Sequence, residues 1–130
     1  MSTARPDEPV TRLVRRGPVT VAPTVTLREL SEVLVREEVG VALVMQDAVA
    51  VGLVSERDVV RAVADGHDID DDRVEDVMTF EVVAIDSRET ITAAAEQMLD
   101  GEIRHLLVSD GEQSLGVISI RDVLAAHRAA

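Results

Sequence analysis

The hydrophobic positions at the start of this chain alternate between helical and extended patterns. An apolar face over residues 9–16 predicts a short helix, and the alternating valines of 19–21 predict a short strand. Apolar residues then recur at helical spacing after Thr26, and Glu29 stands three residues beyond it. A hydroxyl and a carboxylate at this spacing are typical of a capping box, so we expect a helix that ends near Glu38.

Two continuous aliphatic runs come next and predict paired strands. They cover residues 41–45 and 49–54, with a turn at 46–47. Runs without polar alternation are typical of strands that are covered on both faces. Ser55 then introduces another apolar stripe, which predicts a helix to about residue 64. This half of the chain therefore contains a helix, a strand, a helix, two strands and a last helix.

The remainder of the chain repeats these elements in the same order. Residues 83–127 align on residues 19–63 without a gap, and twelve of the forty-five pairs are identical. The most informative match is a heptad, Gly-Leu-Val-Ser-Glu-Arg-Asp from Gly52, which returns as Gly-Val-Ile-Ser-Ile-Arg-Asp from Gly116. The chain is therefore a duplicated unit. The second copy's predicted elements are a short helix over 73–78, a strand over 82–85, a helix over 90–100, strands over 104–109 and 115–118, and a helix over 119–128.

The repeat divides the chain into two copies and a connector. Residues 1–64 form the first copy with its leading helix, residues 65–72 an acidic linker, and residues 73–130 the second copy, and together they are expected to form one compact module. The linker holds five carboxylates, which raises the alternative of a calcium site. Its spacing lacks the central glycine and terminal glutamate of the known calcium loop, so a solvated linker is favoured.

Each copy supplies three strands, and its own helices can cover only one face of that sheet. The other apolar face needs a partner, and the second copy is the obvious candidate. We therefore expect an α/β (α+β) fold of two β-α-β-β-α units related by a pseudo-two-fold axis. Each unit has a short preceding helix and a small three-stranded mixed sheet, and the units pack sheet to sheet.

Composition and charge narrow the classes of function. A net charge of −12 opposes binding to a phosphate backbone, and one Phe with no Trp or Tyr leaves no stacking platform for bases. The chain has no Cys and no motif that places a Ser/His pair or a metal, so we expect neither catalysis nor a metal site. The apolar runs are too short to cross a bilayer, and residues 1–9 lack the apolar segment of a signal peptide. A cytoplasmic protein without a membrane or nucleic-acid partner is expected.

The duplicated pattern resembles the CBS-domain family, seen as a tandem pair (a Bateman module) of the stand-alone prokaryotic type. The resemblance covers about residues 10–127. It rests on the short helix that ends at Val77-Met78-Thr79, on the strand 82–84 after it, and on the two heptads ending in Ser-x-x-Asp. Every element and spacing agrees twice.

The resemblance implies regulation by an adenosyl ligand: AMP, ADP, ATP or S-adenosylmethionine, with no cofactor required. By motif match, Asp58 and Asp122 would accept hydrogen bonds from the ribose hydroxyls, and Ser55 and Ser119 would lie by the phosphate. The residues implied around the adenine are Val19, Val83 and Met78. A purely structural alternative stays open, because Ser-x-x-Asp at a helix start is itself close to a capping box.

The two implied clefts are not equal, because Arg104 and His105 stand where the first copy has Gly40 and Val41. Family members that bind phosphates commonly carry basic residues there, so Arg104 and His105 are the implied phosphate contacts. The alternative is that both residues only form a solvated strand end. The further cations that could help are Arg15, Arg16, Arg57 and Arg121. The first copy, which is poorer in cations, would suit an uncharged or sulfonium tail, or no ligand.

A second hypothesis keeps the fold and omits the ligand. The same surfaces would then serve as a dimerisation or docking module for a partner enzyme or transporter. A homodimer is expected under both hypotheses. Apolar helix residues exceed what one pair of copies can bury, and the examples are Leu27, Val60, Ile91 and Leu124.

Overall fold

The computed structural model describes residues 4–129, which form two three-stranded mixed sheets and four α-helices. In the first half lie a 3-10 helix Val10–Leu13, β1 Thr20–Val21, α1 Leu27–Glu37, β2 Val41–Gln46, β3 Val49–Ser55 and α2 Glu56–Ala64. In the second half lie a 3-10 helix Val74–Asp76, β4 Ala84–Asp86, α3 Ile91–Gly101, β5 His105–Asp110, β6 Gln113–Ser119 and α4 Ile120–Ala129. The mixed fold class and the order of elements are confirmed.

The two sheets have the same topology. In each, the short first strand runs parallel to the middle strand, and the middle strand pairs antiparallel with the last one. Val44 faces Gly52 while Met45 faces Ala50, so one extra residue interrupts the β2–β3 ladder there. The β5–β6 ladder is interrupted at the equivalent position, and the duplication therefore extends to backbone irregularities.

The turn between β2 and β3 is one residue later than the sequence predicted. Asp47 and Ala48 form it, with φ values of 51° and 65°. A two-residue hairpin turn of this kind needs positive φ at both central positions, and both residues adopt it although neither is glycine. At the position equivalent to Asp47 the second copy has Gly111, with φ 61°.

The chain packs as two compact units, and the boundaries of these units differ from those of the two sequence copies. The central unit is Val19–Val82, and the terminal unit combines the segment through Pro18 with the segment from Val83 onward. The leading 3-10 helix thus belongs with the second copy, where Val10 is fully buried in the core. Its counterpart Val74 is fully buried in the core of the central unit.

Backbone hydrogen bonds explain why each leading segment packs with the other copy. The amides at a helix start have no partner within the helix. At α3 the N–H of Ile91 donates to the carbonyl of Glu8 at 2.9 Å, and at α1 the N–H of Leu27 donates to the carbonyl of Asp72 at 3.0 Å. Each leading segment therefore caps the first helix of the copy to which it does not belong in sequence.

The acidic linker lies against the start of α1. The Arg28 N–H donates to the Ile69 carbonyl at 2.9 Å, and its guanidinium forms a two-point ion pair with Asp70. The hydrogen bonds from Arg28 hold the pKa of Asp70 below its ordinary value. Asp72 accepts from the N–H of Asp68 at 2.8 Å and lies 3.1 Å from Nδ1 of His67. The linker is thus held by its own carboxylates and carbonyls.

Two features of the described residues bear on function. Among residues 4–129, no helix has both the length and the apolar character needed to cross a membrane. Over the same residues, no group of three or more His, Asp or Glu side chains is placed to hold a metal ion.

Candidate functional site

The heptad ends in the same hydrogen-bonded cap in both units. Ser55 closes β3, and its hydroxyl accepts from the Asp58 N–H at 3.2 Å while Asp58 Oδ2 accepts from the Ser55 N–H at 2.8 Å. Ser119 and Asp122 repeat these two bonds at 3.3 and 2.8 Å before α4. The reciprocal pair is a capping box with aspartate as the third helical residue.

The capping geometry leaves half of each carboxylate available. Within the described part of the chain, all hydrogen bonds to the carboxylates of Asp58 and Asp122 fall on Oδ2. A carboxylate has about four acceptor sites on its two oxygens. Oδ1 can therefore accept from a hydroxyl of a bound molecule while Oδ2 holds the helix start. The cap and the ligand role are chemically compatible.

A close backbone approach explains the glycine that opens each heptad. A Cβ on Gly52 would lie 2.7 Å from Sδ of Met78 and 2.8 Å from the carbonyl oxygen of Thr79. A Cβ on Gly116 would lie 2.7 Å from a Val14 methyl carbon. In each unit the segment after a 3-10 helix thus lies directly against the glycine. Met78 is consequently a core residue, 9% exposed.

Val19 and Val83 occupy equivalent positions just before the short strands. The Val19 carbonyl accepts from the Leu43 N–H at 2.8 Å, and the Val83 carbonyl accepts from the Leu107 N–H at 3.0 Å. Both side chains are half-buried against the cores of their units. The structure therefore groups Val19 with Asp58 and Met78, and Val83 with Asp122.

The cations implied by the sequence are distributed unevenly. Arg57 belongs to the central unit, whereas the others belong to the terminal unit: Arg15, Arg16, Arg104, His105 and Arg121. All of these arginines are exposed, and His105 is half-buried with a partner inside the structure. Five arginines against fifteen carboxylates give the central unit a charge of −10, and eight against ten give the terminal unit −2.

A residue that the sequence reasoning missed lies beside the cap of the central unit. The N–H of Glu56 donates to the Gly40 carbonyl at 2.9 Å, and Oε1 of Glu56 lies 3.3 Å from where a Cβ on Gly40 would be. In the terminal unit the same bond runs from Ile120 to Arg104, at 2.8 Å. The signal was readable, because Glu56 and Ile120 are a charged-to-apolar mismatch inside an otherwise shared heptad.

Comparison with known proteins gives the same repeat. The family model described as CBS domain matches residues 4–65 and again residues 74–129. A CBS-domain containing protein of Agrobacterium tumefaciens is 32% identical, with a TM-score of 0.82 over 92% of this chain and 93% of that one. A CBS domain protein of Pyrobaculum aerophilum, complexed with AMP, is 31% identical, with a TM-score of 0.78 over 94% of this chain and 99% of that one.

The curated relatives include longer proteins. Arabinose 5-phosphate isomerase of Yersinia pestis is 30% identical over 108 residues, which is 82% of this chain and 33% of that protein. The chain spans about a third of the length of the first curated relatives that it matches.

Proposed function

Because the chain belongs to the CBS-domain family, we propose that it is a regulatory, non-catalytic module that binds an adenosyl ligand and reports a metabolic state in the cytoplasm. The observation that carries the proposal is the paired cap: Ser55/Asp58 and Ser119/Asp122 each leave Oδ1 of the carboxylate available at a helix start. The related protein of Pyrobaculum aerophilum, complexed with AMP, supports the choice of an adenosine compound.

The ligand roles follow from the chemistry of each group. Asp58 and Asp122 accept from the ribose hydroxyls, since one carboxylate can serve two neighbouring donors. Ser55 and Ser119 lie where the free amides and positive end of a helix attract an anion. The apolar contacts to adenine come from Val19 and Met78 in the central unit and from Val83 in the terminal unit.

Charge supports an unequal pair of sites. A phosphate is favoured where cations gather, so AMP, ADP or ATP is proposed for the terminal unit, with Arg104, His105 and Arg121 around the phosphate. The central unit has Arg57 beside its cap and a charge of −10. An adenosyl compound with a neutral or cationic tail, such as S-adenosylmethionine, suits that site better.

Thermal melting with AMP, ATP and S-adenosylmethionine tests the proposal. A ligand that binds only the folded protein raises Tm. At a ligand concentration of a hundred times Kd, the free energy of unfolding increases by about 2.7 kcal/mol. The expected result is a rise that is lost in Asp122→Ala for the nucleotides and in Asp58→Ala for S-adenosylmethionine. Asp100→Ala is a matched control, because Asp100 is an exposed carboxylate on α3.

Loss of the cap itself must be separated from loss of the ligand contact. Ser119→Ala and Ser55→Ala weaken the caps and keep the carboxylates, so they should lower Tm without ligand and reduce the ligand-induced rise less than the aspartate variants do. A rise of equal size in Asp58→Ala, Asp122→Ala and the wild type would contradict the proposed site.

Homodimerisation is proposed as part of the same function. Exposed aliphatic side chains occur at equivalent helix positions of the two units, and the four are Val35 at 78%, Leu99 at 74%, Val60 at 68% and Leu124 at 60%. Exposed apolar side chains that gather in one patch mark surfaces that bind protein, and we propose that a second copy covers these repeated positions. Leu27 and Ile91, which were expected on this outer surface, are instead fully buried in the cores. Sedimentation of Val60→Asp with Leu124→Asp should yield a monomer if a second copy covers these positions.

A ligand-free assembly module remains the second candidate, and the same exposed aliphatic residues favour it. In that case the dimer or a partner enzyme or transporter uses the helices, and the caps are structural only. The absence of any melting shift with all three adenosyl compounds, together with an intact dimer, would support this candidate over ligand sensing.

A further inference from the structure

One corner of each unit combines the residue before the middle strand with the first residue of the last helix. In the central unit these residues are Gly40 and Glu56, and in the terminal unit they are Arg104 and Ile120. We infer that Glu56 makes the central unit select adenosyl ligands whose 5′ substituent carries no phosphate. This inference rests on the proposed function and assigns the ligand preference of one of its two sites to a single side chain.

The backbone of the corner is the same in both units. The N–H of Glu56 donates to the Gly40 carbonyl at 2.9 Å, and the N–H of Ile120 donates to the Arg104 carbonyl at 2.8 Å. The hydrogen-bond distances of the adjoining serine-aspartate caps also agree within 0.1 Å. The difference between the two corners therefore lies in their side chains.

Those side chains reverse the charge of the corner. Gly40 has no side chain, and the carboxylate of Glu56 lies 3.3 to 3.7 Å from the place of its missing Cβ. In the terminal unit a guanidinium side chain starts from that place, and the residue after the serine is Ile120, which is half-buried against the core. A carboxylate thus occupies, in one unit, the region where the other unit begins a cationic side chain.

The difference in charge between the two corners should affect the binding of a phosphate group. In the proposed binding mode Asp58 holds the ribose and the phosphate position lies by Ser55, and Glu56 is the residue after Ser55. The central unit has a net charge of −10, a sum that already includes both Glu56 and Arg57, so a phosphate is repelled by the unit as a whole and most strongly beside the Glu56 carboxylate. A thioether or sulfonium group is not repelled there, so the corner discriminates by charge.

Binding measured by calorimetry with the terminal site disabled tests the inference. In an Asp122→Ala background, AMP and 5′-methylthioadenosine are compared, because they share adenosine and differ in the charge of the 5′ substituent. We expect 5′-methylthioadenosine to bind about ten-fold more tightly than AMP. Glu56→Gln and Glu56→Ile should each strengthen AMP binding about ten-fold and leave 5′-methylthioadenosine within about two-fold.

Matched variants separate the charge of the corner from general effects. Glu32→Gln removes a carboxylate from the exposed face of α1 in the same unit, and it should not change the ratio of the two affinities. In an Asp58→Ala background, Ile120→Glu should weaken AMP binding about ten-fold, while Ile120→Gln, which adds polarity without charge, should not. Added salt should reduce the effect, because the Glu56 side chain is exposed.

The outcomes distinguish this inference from the proposed function. If both ligands bind in the Asp122→Ala background and the ratio of their affinities is the same for Glu56, Gln and Ile at position 56, the inference is wrong and the proposed function stands. If neither ligand binds the wild type or any variant, the proposed function itself is wrong.

Discussion

The backbone carbonyl oxygen of Arg16 lies 2.8 Å from the position that a Cβ atom on Gly116 would occupy. Real Cβ atoms do not approach an oxygen this closely, and a Val14 methyl carbon crowds the same position at 2.7 Å. The glycine is therefore needed for contact between the N-terminal segment and β6, and its conformational freedom is not the reason for its presence.

Gly116→Ala should destabilise the protein by about 1–3 kcal/mol, because the added methyl group forces the segment after the first 3-10 helix away from β6. Denaturant unfolding measures the change. Gly17→Ala is the matched control, since nothing lies within 4 Å of its Cβ position. Equal stability of the two variants would show that the close approach is not energetically important.

Ala48→Gly should stabilise the protein by about 0.5–1 kcal/mol. Ala48 has φ 65°, which costs an L-residue about 1–2 kcal/mol, and the greater freedom of glycine in the unfolded chain offsets part of the gain. Ala50→Gly in β3 should have the opposite sign, because glycine weakens a strand. A thermal melt in which both variants are destabilised would contradict the strain at the turn.

Ser55→Ala and Ser119→Ala should each cost about 1 kcal/mol, because each removes the side-chain acceptor of a helix N-cap. Chemical denaturation without ligand gives the values. Ser31→Ala is the control: its hydroxyl donates to the Leu27 carbonyl within α1 and caps nothing. Cap variants that behave like Ser31→Ala would remove the structural role of the heptad serines.

Val10→Ala should destabilise the protein by about 1.5–3 kcal/mol, although it lies near the start of the chain, because the side chain is fully buried in the core of the terminal unit. Hydrogen exchange should show the loss of protection in β5 and β6. The neighbouring Thr11→Ala, at an exposed position, should change stability by less than about 0.5 kcal/mol. A Val10→Ala protein as stable as Thr11→Ala would contradict the packing of the N-terminal segment.

The Arg28–Asp70 ion pair should contribute stability that depends on pH in one direction. Its hydrogen bonds lower the pKa of Asp70 in the folded state, so the contribution is present above the ordinary carboxylate pKa of about 3.9 and is lost as the pH falls through the lower folded value. The small stability difference between wild type and Asp70→Asn should therefore be present near pH 6 and vanish in strong acid. A difference that persists in acid, or that ignores added salt, would exclude this pair as its source.

The elements of the fold could be predicted from the sequence because their signals are local. The capping box of Thr26 and Glu29 is present as predicted, and the repeat located the strands to within a residue or two. The assignment of the leading 3-10 helices to units was not predictable in this way. It depends on burial of Val10 and Val74 in cores formed by distant residues, and no local pattern records that choice.

The candidate site was predicted only in part from the sequence. The heptad identified the serine-aspartate pairs, and the structure shows their caps at nearly the same distances in both units. Glu56 was missed because an exposed charge at a variable heptad position looks like ordinary solvent-facing surface. The aligned heptads already pair Glu56 with Ile120, and the structure adds that the Glu56 carboxylate lies beside Gly40, the counterpart of Arg104. The assignment of ligand contacts remains a prediction for the binding experiments above.

Because each leading segment packs with the other copy, the two units should fold at different times during translation. The central unit is one uninterrupted stretch, Val19–Val82, so it can close while the rest of the chain is still being made. The terminal unit must join the segment around Val10 to strands β5 and β6, which leave the ribosome much later. Val10 is therefore translated before the central unit but packed only after it, and until β5 and β6 emerge its side chain is exposed to whatever binds nascent chains.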